Sequence, residues 1–291
     1  MSELPPHVDD LLRHALAEDI GSGDVTSLAT VPADRLANAR FVAKEEGVLA
    51  GLAVARRVFE LLDERLDVRF SLADGSRVRV HTTFGTLAGP AHAILAGERL
   101  ALNFMQRMSG IATASRAFAE AARPAIVLDT RKTAPGLRSL DKWAVRLGGA
   151  TNHRAGLYDM VLIKDNHIAA AGGVRQAVEA ALAFRRQRGA DVLIEVEASD
   201  LEQVEEILQV GSVDRILLDN MVRVHDDGFV DVGLLHEAVR RVGGSVETEA
   251  SGNVTLGTVG AIAATGVTFV SVGALTHSVR ALDISLKIDL V

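Results

Sequence analysis

The hydrophobic rhythm of the chain changes near Pro124. Before that point the apolar positions fall into helical three-and-four spacings or short alternating runs, whereas after it compact apolar runs alternate with amphipathic stretches. Val8 to Glu18 places Leu11, Leu12, Ala15 and Leu16 on one helical face, and Gly21-Ser22-Gly23-Asp24 stops that helix. The turn carrying Asp19, Asp24, Thr26 and Ser27 therefore reads as helix-stop chemistry. From Asn38 to about Ala91, short β-like runs enclose one helix, Ala53 to Arg65, with turn signals at Asp74-Gly75 and Gly89-Pro90. This predicts a small sheet-bearing domain. Gly97 to Ala122 is a long helical pattern with Leu100, Phe104, Met108, Ile111 and Phe118 on its apolar stripe, and it bridges two domains. Gln106-Arg107 sits among these apolar neighbours, where base rates favour a snorkelling or surface arginine.

After Pro124 six apolar runs, AIVLD, DMVLIK, VLIEVEA, DRILLDN, SVETEA and VTFVSVG, alternate with helical patterns. Such alternation is the mark of right-handed βα units and a parallel sheet. The first run is not followed by GxGxxG, so a closed or nearly closed α/β barrel is favoured over a dinucleotide-binding fold. In barrels the working residues gather just after the strands. Here those places hold Asp129 to Lys132, Lys164 to His167, Glu195 with Glu197, Asp219-Asn220, Glu247 with Glu249, Ser251 to Asn253, and Gly273 to His277. Glu195 and Glu197 are two apart and share a strand face, as do Glu247 and Glu249. If that face is the interior, the carboxylates need partners, and Lys132 and Lys164 are the obvious candidates.

Composition narrows the class. A chain of 291 residues, 48% hydrophobic, has ample material for a core, and with no cysteine it has neither disulfides nor thiolate metal sites. The N-terminus lacks an apolar h-region, and no run approaches the ~18 apolar residues of a membrane span, so a cytoplasmic protein is expected. A net charge of −7 with 4% aromatics argues against a nucleic-acid binder. Against that acidic background, Arg131 to Lys164 carries seven cations and two acids, which points to an anionic small molecule. Arg131, Arg154 and Lys164 suit carboxylate or phosphate recognition. Glu197 and Asp219, on adjacent strand ends, suit one Mg2+ shared with a ligand phosphate, or a positive sugar carbon. The turns Ser251-Gly252-Asn253 and Gly273 to His277 occupy the frequent phosphate position of barrels. A phosphorylated sugar meeting an aromatic or aliphatic acid fits this set.

The segment DTRKTAPGLRSLDKWAVRLGGATNHRAGLYDMVLIKDNHI closely resembles the corresponding part of the quinolinate phosphoribosyltransferase family, the carboxylating nicotinate-nucleotide pyrophosphorylases. EDIGSGDVTS, GVLAG, GERLALNFMQRMSGIAT, EVEASD, LLDNM and EASGNV also match family segments in order, so the resemblance spans nearly the whole chain. It implies conversion of quinolinate and phosphoribosyl pyrophosphate into nicotinate mononucleotide, pyrophosphate and CO2, with Mg2+, in NAD biosynthesis. It also implies an N-terminal α/β sandwich (residues 1–114), an incomplete α/β barrel (115–280), and a tail (281–291) packing back on the first domain, in a homodimer. By this resemblance Arg107 reaches the quinolinate site across the dimer, replacing the snorkelling reading. Arg131, His153, Arg154 and Lys164 complete that cationic pocket, with His153 a substrate contact rather than a general base. Lys132 lies between acceptor and donor, Glu197 and Asp219 face ribose and metal, and Ser251, Gly252, Asn253, Gly273 and His277 surround the 5′-phosphate.

Two departures from the family pattern stand out. The Glu197-to-Asp219 spacing is longer than usual, which leaves Glu195 as the alternative to Glu197, and MVRVHDDGFVDVG after Asp219 reads as an expanded surface loop. The rival readings are a paralogous phosphoribosyltransferase for another anionic acceptor, a non-catalytic phosphosugar-binding barrel, and RNA binding through the 131–164 cations. Retention of TRKTAPG with Arg107, His153, Arg154 and Lys164 favours quinolinate, and retention of Lys132, Glu197 and Asp219 disfavours a non-catalytic barrel.

Overall fold

A computed structural model describes residues 4–5, 7–189 and 192–290, and the chain divides into two compact units. The first gathers the residues up to Arg116, then Ala134–Gly149, and the chain from Val279 onward. The second holds Ala117–Thr133 and Ala150–Ser278. The division departs from a cut at residue 114 in one respect: the Ala134–Gly149 excursion, which carries the helix Arg138–Gly148, clusters with the first unit.

The first unit is built on a four-stranded antiparallel sheet in the spatial order Ile284–Leu290, Leu36–Ala43, Thr83–Pro90, Asp67–Phe70. Leu36–Ala43 alternates as expected of a half-buried strand, turning Ala37, Ala39 and Phe41 inward. The last strand of the chain pairs with it from Ala37 opposite Leu290 to Ala43 opposite Ile284, so the tail closes this sheet. Phe41 stands at the centre of the core, with the rings of Phe59, Phe70 and Phe84 at 6.3, 5.2 and 6.0 Å. Leu52–Leu62 forms the covering helix, and Asp74 accepts the Leu52 N–H at 3.0 Å at its start. The EDIGSGDVTS turn both stops and starts a helix. Val8–Ile20 ends at Gly21, and Asp24 then caps Val25–Thr30 by accepting the N–H groups of Thr26 and Ser27 at 3.1 and 3.2 Å. The long helix runs from Ala91 to Ala121. At Gly110 it lets the chain pass so closely that an added Cβ would lie 2.1 Å from the Arg280 carbonyl oxygen.

The second unit contains six parallel strands: β1 (Ile126–Leu128), β2 (Val161–Ile163), β3 (Ile194–Ala198), β4 (Arg215–Asp219), β5 (Glu247–Ser251) and β6 (Phe269–Ser271). They coincide with the six apolar runs of the sequence. Their spatial order is β1-β6-β5-β4-β3-β2. Thr151 bridges Leu128 in parallel on the free edge of β1, and the segment after it leads directly into β2 on the opposite edge. The sheet is thus an incomplete barrel, open between Thr151 and β2. The expanded loop after Asp219 folds as a β-hairpin, Arg223–Val224 against Val230–Asp231, with Val224 and Phe229 exposed. Among the described residues no helix is long and apolar enough to cross a membrane.

Candidate active site

Every barrel strand delivers polar residues to the same end of the sheet, because all six run parallel and each changes from apolar to polar at its C-terminus. After β1, Asp129 is fully buried; it accepts the His153 N–H at 2.8 Å and the Asn152 side-chain N–H at 2.7 Å. Arg131 and Lys132 follow. Thr276 Oγ donates to the Lys132 carbonyl at 2.9 Å, and a Cβ on Gly273 would meet the Lys132 side chain at 3.2 Å, so the turn after β6 shapes the course of Lys132. After β2, Lys164 Nζ pairs with Glu197 of β3 at 2.8 Å, and its backbone N–H is accepted by His167 Nδ1 at 3.0 Å.

Together these ends surround a cavity of about 190 Å3, large enough for one small ring rather than a polymer. Its walls include Arg131, Lys132, Arg154 and Lys164, with His153 and Glu249, the serines Ser251 and Ser271, and an apolar side formed by Leu162 and Leu217. Arg131 Nε is buried without a hydrogen-bond partner. Burial, and then the neighbouring Arg131 cation, holds the Arg154 guanidinium below its ordinary pKa. Two cations thus crowd one space, where Glu195 and Asp159 offset the Arg154 charge only in part, and this is the electrostatic signature of a site for an anionic ligand.

The floor of the cavity is ionic. Glu195 and Glu249 are both completely buried, and His153 Nε2 lies 2.9 Å from the first and 3.4 Å from the second. Arg215 donates to Glu249 at 3.0 Å and to Glu247 at 3.3 Å while its guanidinium lies 3.9 Å from the Phe269 ring centre; Ser271 also donates to Glu249. Burial lifts Glu195 to about 7 against the opposing His153 hydrogen bond. Burial likewise penalises charge on Glu249 and His153, but hydrogen bonds win: that to His153 holds Glu249 low, and those to Glu195 and then Glu249 raise His153 to about 9. The Arg154 N–H points at His153 Nδ1 from 2.7 Å, so the neutral form of the ring keeps its proton on Nε2. The expected partnership of the inward carboxylates is corrected accordingly. Lys164 does pair with Glu197, but Glu195 and Glu249 are met by His153 and Arg215, not by Lys132.

The remaining candidates occupy three places. Asp219 ends β4, where Asn220, with φ of 55°, donates its side-chain N–H to the Asp219 carboxylate at 2.6 Å and its backbone N–H to Ser251 at 2.9 Å. Gly252, with φ of 104°, packs on Asn220 so tightly that a Cβ would fall 2.2 Å from its side-chain oxygen. Asn253 is also left-handed, and His277 Nδ1 lies 2.7 Å from Ser278 Oγ. Arg107 belongs to the first unit, where buried Asp141 holds it bidentately at 2.9 and 2.8 Å. Arg215 was not singled out from the sequence, whereas Asn220 was placed at the end of β4 without a role; an Asn directly after a strand-end Asp is a left-handed turn signal. As for Mg2+, Glu197 and Asp219 supply hard carboxylate oxygens at adjacent strand ends, a donor set that fits an ion keeping waters and phosphate oxygens. The His153, Glu195 and Glu249 ligand atoms all lie within 4.8 Å of one another, but an imidazole beside a guanidinium fits Mg2+ poorly.

Comparison with known proteins identifies the family. The model of the quinolinate phosphoribosyl transferase N-terminal domain matches residues 24–109, and that of the C-terminal domain matches residues 111–287. The chain belongs to the quinolinate phosphoribosyl transferase family. It is 54% identical over 285 residues to the chloroplastic nicotinate-nucleotide pyrophosphorylase [carboxylating] of Arabidopsis thaliana, covering 96% of this chain and 82% of that protein. A probable nicotinate-nucleotide pyrophosphorylase [carboxylating] of Synechocystis is 43% identical, with 99% and 95% covered. Among solved structures, NadC from Streptococcus pyogenes superposes with a TM-score of 0.91 at 37% identity over 100% of both chains. The fold and the family are therefore shared along the whole length, barrel and sheet domain alike.

Proposed function

We propose that the protein transfers phosphoribosyl from phosphoribosyl pyrophosphate to quinolinate with decarboxylation, giving nicotinate mononucleotide, pyrophosphate and CO2 in NAD biosynthesis. The observation that carries this reading is the pair Arg131 and Arg154 facing a ring-sized cavity, the first with a buried Nε that has no hydrogen-bond partner and the second held below its ordinary pKa by burial and by its neighbour. A pyridine dicarboxylate offers two anionic groups for those cations and a flat ring for Leu162 and Leu217. Lys164 and the partner subunit's Arg107 complete the anion clamp, and Lys132 stands between acceptor and donor. His153 lines the same space, but its ring nitrogens are engaged by Glu195, Glu249 and Arg154.

The chain's own residues act chiefly by orientation and charge. With the pyridine nitrogen held toward C1 of the ribose, a new N–C bond forms as the C1–O bond to pyrophosphate breaks, and positive charge develops on the sugar. Glu197 and Asp219 stabilise that charge, as carboxylates do in glycoside cleavage. Ser251, Gly252, Asn253, Gly273 and His277 hold the 5′-phosphate at the ends of β5 and β6. Ribosylation makes the ring nitrogen cationic, so the electron pair left at C2 when CO2 departs is stabilised beside it and then takes up a proton. Glu197 and Asp219 would hold Mg2+, which would neutralise charge on the pyrophosphate. Lys164 must release Glu197 for this, and the incoming acceptor carboxylate is its natural replacement.

The protein works as a cytoplasmic homodimer in this proposal. The exposed apolar side chains Leu157 and Tyr158, beside a groove of about 820 Å3 that Val161, Ile163 and Phe184 also line, support a partner chain at the open barrel edge. The test incubates the protein with quinolinate, phosphoribosyl pyrophosphate and Mg2+ and follows CO2 and nicotinate mononucleotide. Equal formation of both, lost in Lys132→Ala and in Arg107→Ala, is expected. Recovery of activity on mixing these two variants checks the trans position of Arg107. Pyrophosphate release only with a different acid would leave the donor site standing and replace the acceptor.

A further inference from the structure

The barrel floor is more ionic than its fold requires. Layers inside α/β barrels are ordinarily filled by branched apolar side chains. Here Glu195, Arg215 and Glu247 occupy one register row across β3, β4 and β5, and Glu197, Leu217 and Glu249 occupy the next. Burying an ion costs several kcal/mol, and an apolar filling of similar volume is often as stable, so folding stability does not account for this floor. One oxygen of Glu195, Oε1, is even left buried without a hydrogen bond. Such departures from packing rules concentrate at functional sites.

What the floor does can be read from what it holds. His153 is tied at three points: Nε2 to Glu195, with Glu249 close by, Nδ1 to the Arg154 N–H, and its own backbone N–H to Asp129. Arg154 follows directly in the chain, and its guanidinium meets the Met160 carbonyl only at 3.4 Å. Its place at the cavity is thus set largely through the backbone that His153 anchors. Arg215 and the imidazole meanwhile counter the buried carboxylates, so the floor does not repel a dianion above it. We propose that Glu195 and Glu249 are positioning residues that act through His153 to aim Arg154 at the acceptor acid. They govern acceptor recognition and leave the phosphoribosyl donor untouched. This rests on the proposed quinolinate reaction and adds to it the residues that set acceptor affinity.

The test is a double-mutant cycle with separate KM values for quinolinate and phosphoribosyl pyrophosphate. Glu195→Gln should raise the quinolinate KM about tenfold, the loss expected of one charge-assisted hydrogen bond, and move the donor KM by less than about twofold. In a His153→Ala background the same substitution should have no further effect. Multiplying effects in the double variant, or equal rises in both KM values, would overturn the proposal, because either marks a general structural role. Glu249→Gln repeats the cycle if Glu195→Gln fails to fold. Independently of turnover, 15N NMR of His153 above about pH 9, where the ring holds a single proton, should report an Nε2–H, Nδ1-acceptor ring in the wild type that becomes mobile in both glutamine variants. An unchanged ring signal would also refute the proposal. Wild-type protein that shows this ring signal yet does not turn over quinolinate would refute the reaction while leaving the anchoring of His153 intact.

Discussion

Two buried centres in this chain use opposite chemistry. In the first unit, Phe41 is surrounded by the rings of Phe59, Phe70 and Phe84. In the barrel, the corresponding depth holds Glu195, Glu249, Arg215 and His153. Rings in van der Waals contact contribute stability through area removed from water, and their order is tolerant of small shifts. Buried ions contribute little net stability but have strict geometry, since each lost partner leaves a charge unpaired. The contrast separates a scaffold that has to be stable from a site that has to be exact.

Substitutions at the two centres should therefore register in different measurements. The largest effect is expected for Phe41→Ala, which empties the aromatic core. It should lower unfolding free energy by about 3–5 kcal/mol in denaturant titration while the KM of the folded fraction for either substrate stays unchanged. A shift in quinolinate KM would blur the distinction. Next comes Lys132→Ala, with kcat reduced by a factor of about 10²–10³ and thermal stability close to wild type, because removal of a charge aimed at the reacting atoms acts on the transition state. Arg131→Gln should follow, raising quinolinate KM by a factor of about 10–100, as expected from about 1.5–3 kcal/mol for hydrogen bonds to a charged group. Its donor KM should remain within about twofold of the wild-type value.

The smallest effect concerns pH. Glu195 is raised to about 7 in the folded chain from an ordinary 4.5, chiefly by burial, and His153 to about 9 from 6.5 by its carboxylate partners after burial has acted against it. Both folded-state values lie above their ordinary ones, so the folded state binds protons that the unfolded chain has already released. Their contribution is present at low pH and is lost as pH rises, between 4.5 and about 7 for Glu195 and between 6.5 and about 9 for His153. The melting temperature should decline across that window, and Glu195→Gln should flatten its lower part. Phe41→Ala should lower the whole curve without changing its slope. A slope that Glu195→Gln leaves intact would place its origin elsewhere.

Much of the architecture was legible because local patterns and tertiary structure agree. The six apolar runs became the six barrel strands, and the alternation in Leu36–Ala43 marked its inward face. The cationic residues Arg131, Lys132, Arg154 and Lys164 could be singled out because their excess opposes the acidic chain, and all four wall the cavity. Partnerships were less legible. Glu195 and Glu249 were read as needing partners on the condition that their strand face is the interior, yet Arg215 was missed because a basic residue at the start of a strand reads as surface charge until the strand beside it is known.

By itself, then, the sequence determined the periodicities, the strand ends, the local charge reversal and the family motifs, since each depends on neighbours along the chain. Only the tertiary structure decided that Glu195 is met by His153 and Glu249 by Arg215, that Ala134–Gly149 joins the first unit, and that Arg131 and Arg154 wall one cavity. Pairing and desolvation depend on distances between residues far apart in the chain, and those distances come into being when the sheet closes its rows.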